Sequence, residues 1–314
     1  MFEARRRFEA VRRRVDAPVA GGVRDPARGR RGARVRIVVT ACLALLLAGA
    51  ACGGEREGAA APTATANGGG SPGNVLHGGG PEEKATSRLT VAAAADLRDV
   101  LLDYQAELEE ACDTSLTFVF GSSGQLKTQI EAGAPFGLYL SADIAFPREL
   151  QDEGLIAPNG VAAYGVGRIV LATRPGLSPV PDLSDLTRAD IKRVAIANPA
   201  HAPYGRAAKA AMERVGVYEA VRDRLVMGEN IRQTADYVEQ GDADAAIVAL
   251  ALVVRGSPAA YTLIDASLHD PIVQGGAVIE DSGGERTARC VLQQLLDEAG
   301  QQQLKKFGFE PAPR

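Results

Sequence analysis

Residues 117–125 read TFVFGSSGQ and place two serines between glycines, directly behind a run of strand-forming residues. Three kinds of chemistry fit that spacing: a serine nucleophile, a flexible linker, or a strand that stops at a helix whose first amides stay open to a ligand. A nucleophile needs a base. The three histidines, His77, His201 and His269, are scattered in no recognisable partner motif, and no G-x-S-x-G elbow is present. A linker would not lead at once into the amphipathic run QLKTQIEAG. The helix start is left: its unpaired amides and partial positive charge favour an anion, and Ser122 or Ser123 adds a hydroxyl without bulk or charge. From the local residues alone, either serine also fits a plain helix cap.

The elements that must position such a site alternate short apolar strands with helical patterns. RLTVAAAA is followed by DLRDVLLDYQAELEEAC, with Leu97, Leu101, Tyr104 and Leu108 on one face; SLTFVF, GLYLSAD, RVAIANP and DAAIVAL continue the rhythm. That alternation predicts an α/β fold, a sheet covered by helices. GRIVLATRPG and PIVQGGAVIE read as crossings between two lobes. They divide the chain into a discontinuous first lobe (residues 87–169 and 273–314) and a continuous second lobe (170–272), with a cleft between them. In open sheets of this class the ligand sits beyond the carboxyl ends of the strands.

The first 51 residues differ from the rest. An arginine-rich stretch precedes the apolar segment IVVTACLALLLAGAA, the form of a secretory leader, and its long basic region leaves open a start nearer Val35 than Met1. Cys52 follows directly, as in a lipoprotein leader, although Gly49 stands where leucine is usual. Residues 52–86, rich in Gly, Ala, Pro, Thr and Ser, read as a disordered tether. At 46% hydrophobic and 24% charged residues, the body has the composition of a globular protein. Without residues 1–51 it carries 23 basic against 35 acidic residues, a formal charge of −12. Such a surface repels nucleic acid, so an anion must be captured by a local arrangement. Cys112 and Cys290 are the cysteines of the body. Outside the cytoplasm they could form a disulfide or stay as two buried thiols. No metal-ligand spacing is visible, and no cofactor is expected.

At VAAAADL, GSSGQLKTQIEAGAPFGLYLSAD, NPAHAPYGRAA and ENIRQTADYVEQGDADAAIVAL, in order over residues 88 to 310, the chain resembles the molybdate-binding proteins of bacterial ABC importers. The resemblance implies a two-lobed periplasmic binding protein type II fold, each lobe a mixed sheet flanked by helices, with the ligand in the cleft. It implies a ligand set: Ser122 and Ser123, backbone around Ala95 and Asp96, Tyr204 brought in from the second lobe, and the amide of Ile231. Two positions depart from the family pattern. Asp96 stands where a serine or asparagine donor is usual, and Ala249 where many members carry a tyrosine. A carboxylate aimed at a dianion would be repelled, so Asp96 is expected to cap its own helix. Lys127 and Arg232, each near the first turn of a helix, are candidates to replace the missing donors as cations, or else are solvated helix residues.

The function implied is a non-enzymatic one: a monomer outside the cytoplasm, held to the membrane by a lipid on Cys52 or else periplasmic or secreted. It would close its lobes on molybdate or tungstate and deliver the anion to an ABC permease and its ATPase. Sulfate, phosphate or a small organic acid is the alternative ligand. A ligand-sensing domain, or a hydrolase using Ser123, is the alternative of a different class.

Overall fold

The computed structural model describes residues 87–313. The expected leader, tether and lipidation site at Cys52 lie outside the described residues.

The chain opens with β1 (Ser87–Ala94), a 3-10 turn at Ala95–Leu97, and α1 (Arg98–Cys112). Val100, Leu101, Tyr104 and Leu108 are the buried face of α1, which follows from their helical spacing. Then come β2 (Thr114–Gly121), α2 (Ser123–Glu131), β3 (Leu138–Ser141), α3 (Ala145–Asp152) and β4 (Ile156–Gly167). A second run holds β5 (Ile169–Thr173), β6 (Val194–Ala197), α4 (Pro203–Arg214), β7 (Leu225–Gly228), α5 (Ile231–Gln240), β8 (Ala245–Ala249) and β9 (Ala260–Leu263). The chain ends with β10 (Ile272–Ile279), α6 (Glu285–Leu296) and α7 (Glu298–Lys306).

These strands form two mixed sheets, β2-β1-β3-β10-β4 and β7-β6-β8-β5-β9. In the first, β1 runs parallel to β2 and β3, while β10 is antiparallel to β3 and β4. In the second, β6 is parallel to β7 and β8, and β5 is antiparallel to β8 and β9. Parallel neighbours need a crossover helix between them, which is why α1, α2, α4 and α5 follow strands directly. The chain passes from the first sheet to the second at Arg168 and returns between Leu263 and Ile272.

The inner strands β3, β5, β6 and β8 are buried on both faces. One core centres on the second lobe around Ile169, Leu171, Ile196 and Ile247 and reaches Ala94, Ala95 and Ala142 of the first; two lie on either side of the first sheet, around Leu97, Leu101 and Leu138 and around Leu126, Tyr139 and Leu150. Cys112 at the end of α1 and Cys290 in α6 form a disulfide, with 5.8 Å between their Cα atoms.

Candidate functional site

At the carboxyl ends of the parallel strands several helix starts converge on a narrow cleft. Residues 94–96 and 121–123 and Ala142 line it from the first lobe; residues 202–204 and Ile231 line it from the second. Small residues make the room, because Ala94, Ala95, Ala142 and Ala202 put no side chain beyond Cβ into it.

The two serines of GSSG behave differently. Ser123, buried as the first residue of α2, accepts the Ala142 amide on its Oγ at 3.0 Å. Its single hydroxyl proton is therefore free to be donated elsewhere. Ser122 sits at the cap position of α2 but makes no capping bond. Its hydroxyl donates to the His201 carbonyl across the cleft at 2.6 Å, with His201 Nδ1 2.9 Å from the same oxygen. The Gly124 amide joins the same carbonyl at 3.0 Å. Ser122 thus lines the cleft, yet its proton is spent holding the lobes together. Gln125 to Glu229, and Asp143 to Arg206, extend that seam.

Asp96 corrects the sequence expectation. It lies inside the 3-10 turn and caps no helix. Its Oδ2 instead accepts the Tyr204 hydroxyl of α4 at 2.8 Å, and its Oδ1 is buried without a partner. Burial pushes the carboxyl up to about 6, with the Tyr204 hydrogen bond the largest opposing influence. Tyr204 is corrected with it: the phenol expected to donate to a ligand donates to Asp96. It also accepts Gln274 Nε2 at 3.2 Å, and Gln274 Oε1 in turn accepts the Tyr164 hydroxyl at 3.1 Å. Gly167 allows this approach, since a Cβ there would stand 2.0 Å from the Tyr204 hydroxyl.

The expected cations are also placed elsewhere. Lys127 is ringed by Glu131, Glu149 and Glu153 at 2.5, 3.4 and 3.3 Å. Arg232 is held by Asp236 and Glu239 at 2.6 and 2.5 Å. Neither lines the cleft. A guanidinium or ammonium takes the nearest carboxylates on its own face of the helix before it reaches a neutral cleft. Ile231 does line it, at the start of α5, where Asn230 Oδ1 accepts the amides of Arg232 and Gln233 and leaves that of Ile231 out of the cap. Ala95 and Asp96 line the facing wall. Gln274, Tyr164 and His201 were missed in the sequence. His201, in NPAHAPYGRAA, and Gln274, in PIVQGGAVIE, lie inside segments the sequence had already singled out.

Comparison with known proteins places this geometry among relatives. Residues 89–310 match the family model described as bacterial extracellular solute-binding protein. The chain is 31% identical over 225 residues to the molybdate-binding protein ModA of Rhodobacter capsulatus, covering 72% of this chain and 89% of that one. Among solved structures, the periplasmic molybdate-binding protein of Azotobacter vinelandii superposes with a TM-score of 0.67 at 25% identity, over 72% of this chain and all of that one. The sulfate-binding protein SubI of Mycobacterium tuberculosis shares the fold at 17% identity and a TM-score of 0.59, over 72% of this chain and 87% of that one.

Proposed function

The chain belongs to the bacterial extracellular solute-binding protein family, and from that premise we propose that it captures molybdate or tungstate outside the cytoplasm and passes it to an ABC permease and its ATPase. The observation that carries this reading is the convergence, from both lobes, of helix starts and a Ser123 hydroxyl on one small cleft that no lysine or arginine lines among the described residues. Neutral donors suit a fully desolvated oxyanion, because hydrogen bonds and helix dipoles satisfy its oxygens without a counter-ion. Donors on both sides of the cleft make closure ligand-dependent: only the closed arrangement satisfies every oxygen. Relatives named for molybdate support the choice of anion.

On the same reading, residues 1–51 are a leader, residues 52–86 a tether, and Cys52 a lipid anchor that keeps a monomer at the membrane near the permease. Residues 87–169 with 273–314 and residues 170–272 are the two lobes that close. Discrimination against sulfate would rest on cavity size, since both anions are tetrahedral and doubly charged.

A thermal-shift panel of oxyanions on protein starting near residue 86 tests the proposal. A ligand that binds only the folded state raises the melting temperature by mass action, by an amount equivalent to about 2.7 kcal/mol at a hundredfold excess over Kd. A rise with micromolar molybdate or tungstate, absent with sulfate and phosphate, is expected. A rise with sulfate or phosphate alone assigns a different anion, and no rise with any of them removes the oxyanion reading.

A further inference from the structure

Among the described residues, Asp96 is the one acidic residue lining a cleft proposed to take a dianion. We propose that capture is proton-linked: the lobes close on a doubly charged oxyanion together with one proton, carried on Asp96 Oδ1, which then donates a hydrogen bond to the ligand. This inference rests on the reading of the cleft as an oxyanion site.

The geometry assigns the two carboxyl oxygens different tasks. Oδ2 already accepts the Tyr204 hydroxyl, so a proton on the carboxyl belongs on Oδ1, the oxygen that is buried without a partner. As a carboxylate, that oxygen would be an unpaired negative atom beside a doubly negative guest. As a carboxylic acid, it is a neutral donor like the Ser123 hydroxyl.

Among the described residues, none around Asp96 supplies the positive charge that would otherwise be needed. From α4 it faces Tyr204, and the Arg206 of that helix is paired with Asp143. Tyr164 of β4 and Gln274 of β10 face it as a neutral hydrogen-bonded pair. The α5 cation, Arg232, is held by Asp236 and Glu239. The turn at Leu250–Leu252 packs against the Asp96 turn with apolar residues alone. Following Asp96 along its own chain, Arg98 is paired with Asp99 at the surface. Across the seam, His201 is bonded to Ser122 and lies 3.6 Å from Glu229.

Burial, outweighing the hydrogen bonds that oppose it, holds the carboxyl up at about 6, so taking a proton near neutral pH requires only a small further bias. The guest's charge acts in the same direction. The proton comes from solvent and returns to it when the lobes open.

Isothermal titration of molybdate into the wild-type protein and the Asp96→Asn variant, between about pH 6 and pH 8.5 in two buffers of different ionisation heat, tests this. For the wild type, proton uptake should rise from about half a proton per anion near pH 6 toward one above the carboxyl's own range, where affinity should fall about tenfold per pH unit. Asp96→Asn, a permanent neutral donor, should bind with a flat profile and more tightly than the wild type at the alkaline end. Proton uptake is read on the wild type, so the outcome does not depend on how well the variant folds. A flat wild-type profile without proton uptake overturns the proton linkage while leaving the oxyanion site intact. Absence of binding by both proteins at every pH overturns the site reading, and the linkage with it.

Discussion

Ser122 and Ser123 are adjacent and chemically identical, yet their surroundings give their protons opposite destinations. The Ala142 amide occupies the Ser123 oxygen as acceptor and leaves its hydroxyl to donate, whereas Ser122 donates to the His201 carbonyl. Ser123→Ala should therefore weaken oxyanion binding by about 1.5–3 kcal/mol, the worth of a hydrogen bond to a charged group. It should also lower the melting temperature, because the buried Ala142 amide loses its acceptor. Ser122→Ala should cost only the seam bond, about 1 kcal/mol. Lys127→Ala and Arg232→Ala should leave affinity within about twofold, since each cation is engaged by its own carboxylates. Titration of molybdate into the four variants separates these cases. A large loss in Arg232→Ala would mean that the guanidinium abandons Asp236 and Glu239 for the ligand. Those pairings were legible in the sequence at helical spacing, Lys127 with Glu131 and Arg232 with Asp236, and outweighed the appeal of placing a cation at a helix start.

At the scale of elements, strand-to-helix junctions were readable because hydrophobic period and glycine punctuation coincide there, as at Gly121 before α2 and Asn230 before α5. Pairings across the cleft were not, since Asp96 meets Tyr204 108 residues away only once the two lobes come together. The same docking makes one glycine informative. A Cβ at Gly124 would stand 2.9 Å from the His201 carbonyl oxygen, an atom of the opposite lobe. At Gly205 the clash is within one lobe, 2.0 Å from the Ala197 carbonyl oxygen. Gly124→Val should thus obstruct closure and spare folding: an unchanged melting temperature without ligand, a faster off-rate and weaker affinity with it. Gly205→Ala should lower the melting temperature with or without ligand. Stopped-flow release of molybdate, set beside calorimetric melting, distinguishes the two. Loss of stability in Gly124→Val without ligand would show that the seam is part of the folded state itself.

The whole molecule depends on a lobe that the chain leaves and later re-enters. Its sheet takes β1 to β4 from before the second lobe and β10 from after it, so β3 and β4 flank a strand that follows them by more than a hundred residues. The disulfide between Cys112 and Cys290 spans 178 residues and fastens α1, from the outgoing part, to α6, from the returning part. A cross-link over so long a loop removes many open conformations from the unfolded chain, and bonds of this kind typically contribute about 2–4 kcal/mol. Both cysteines lie away from the cleft-lining residues, so the bond should act on the first lobe's stability and not on ligand contacts. Reducing it, or replacing both residues with serine, should lower the melting temperature while leaving molybdate affinity in the folded protein unchanged; calorimetry and titration on the same samples read both quantities. If affinity falls together with stability, the helix starts that form one wall of the cleft depend on the cross-link for their position. If neither changes, packing of β10 between β3 and β4 is enough to hold the returning segment.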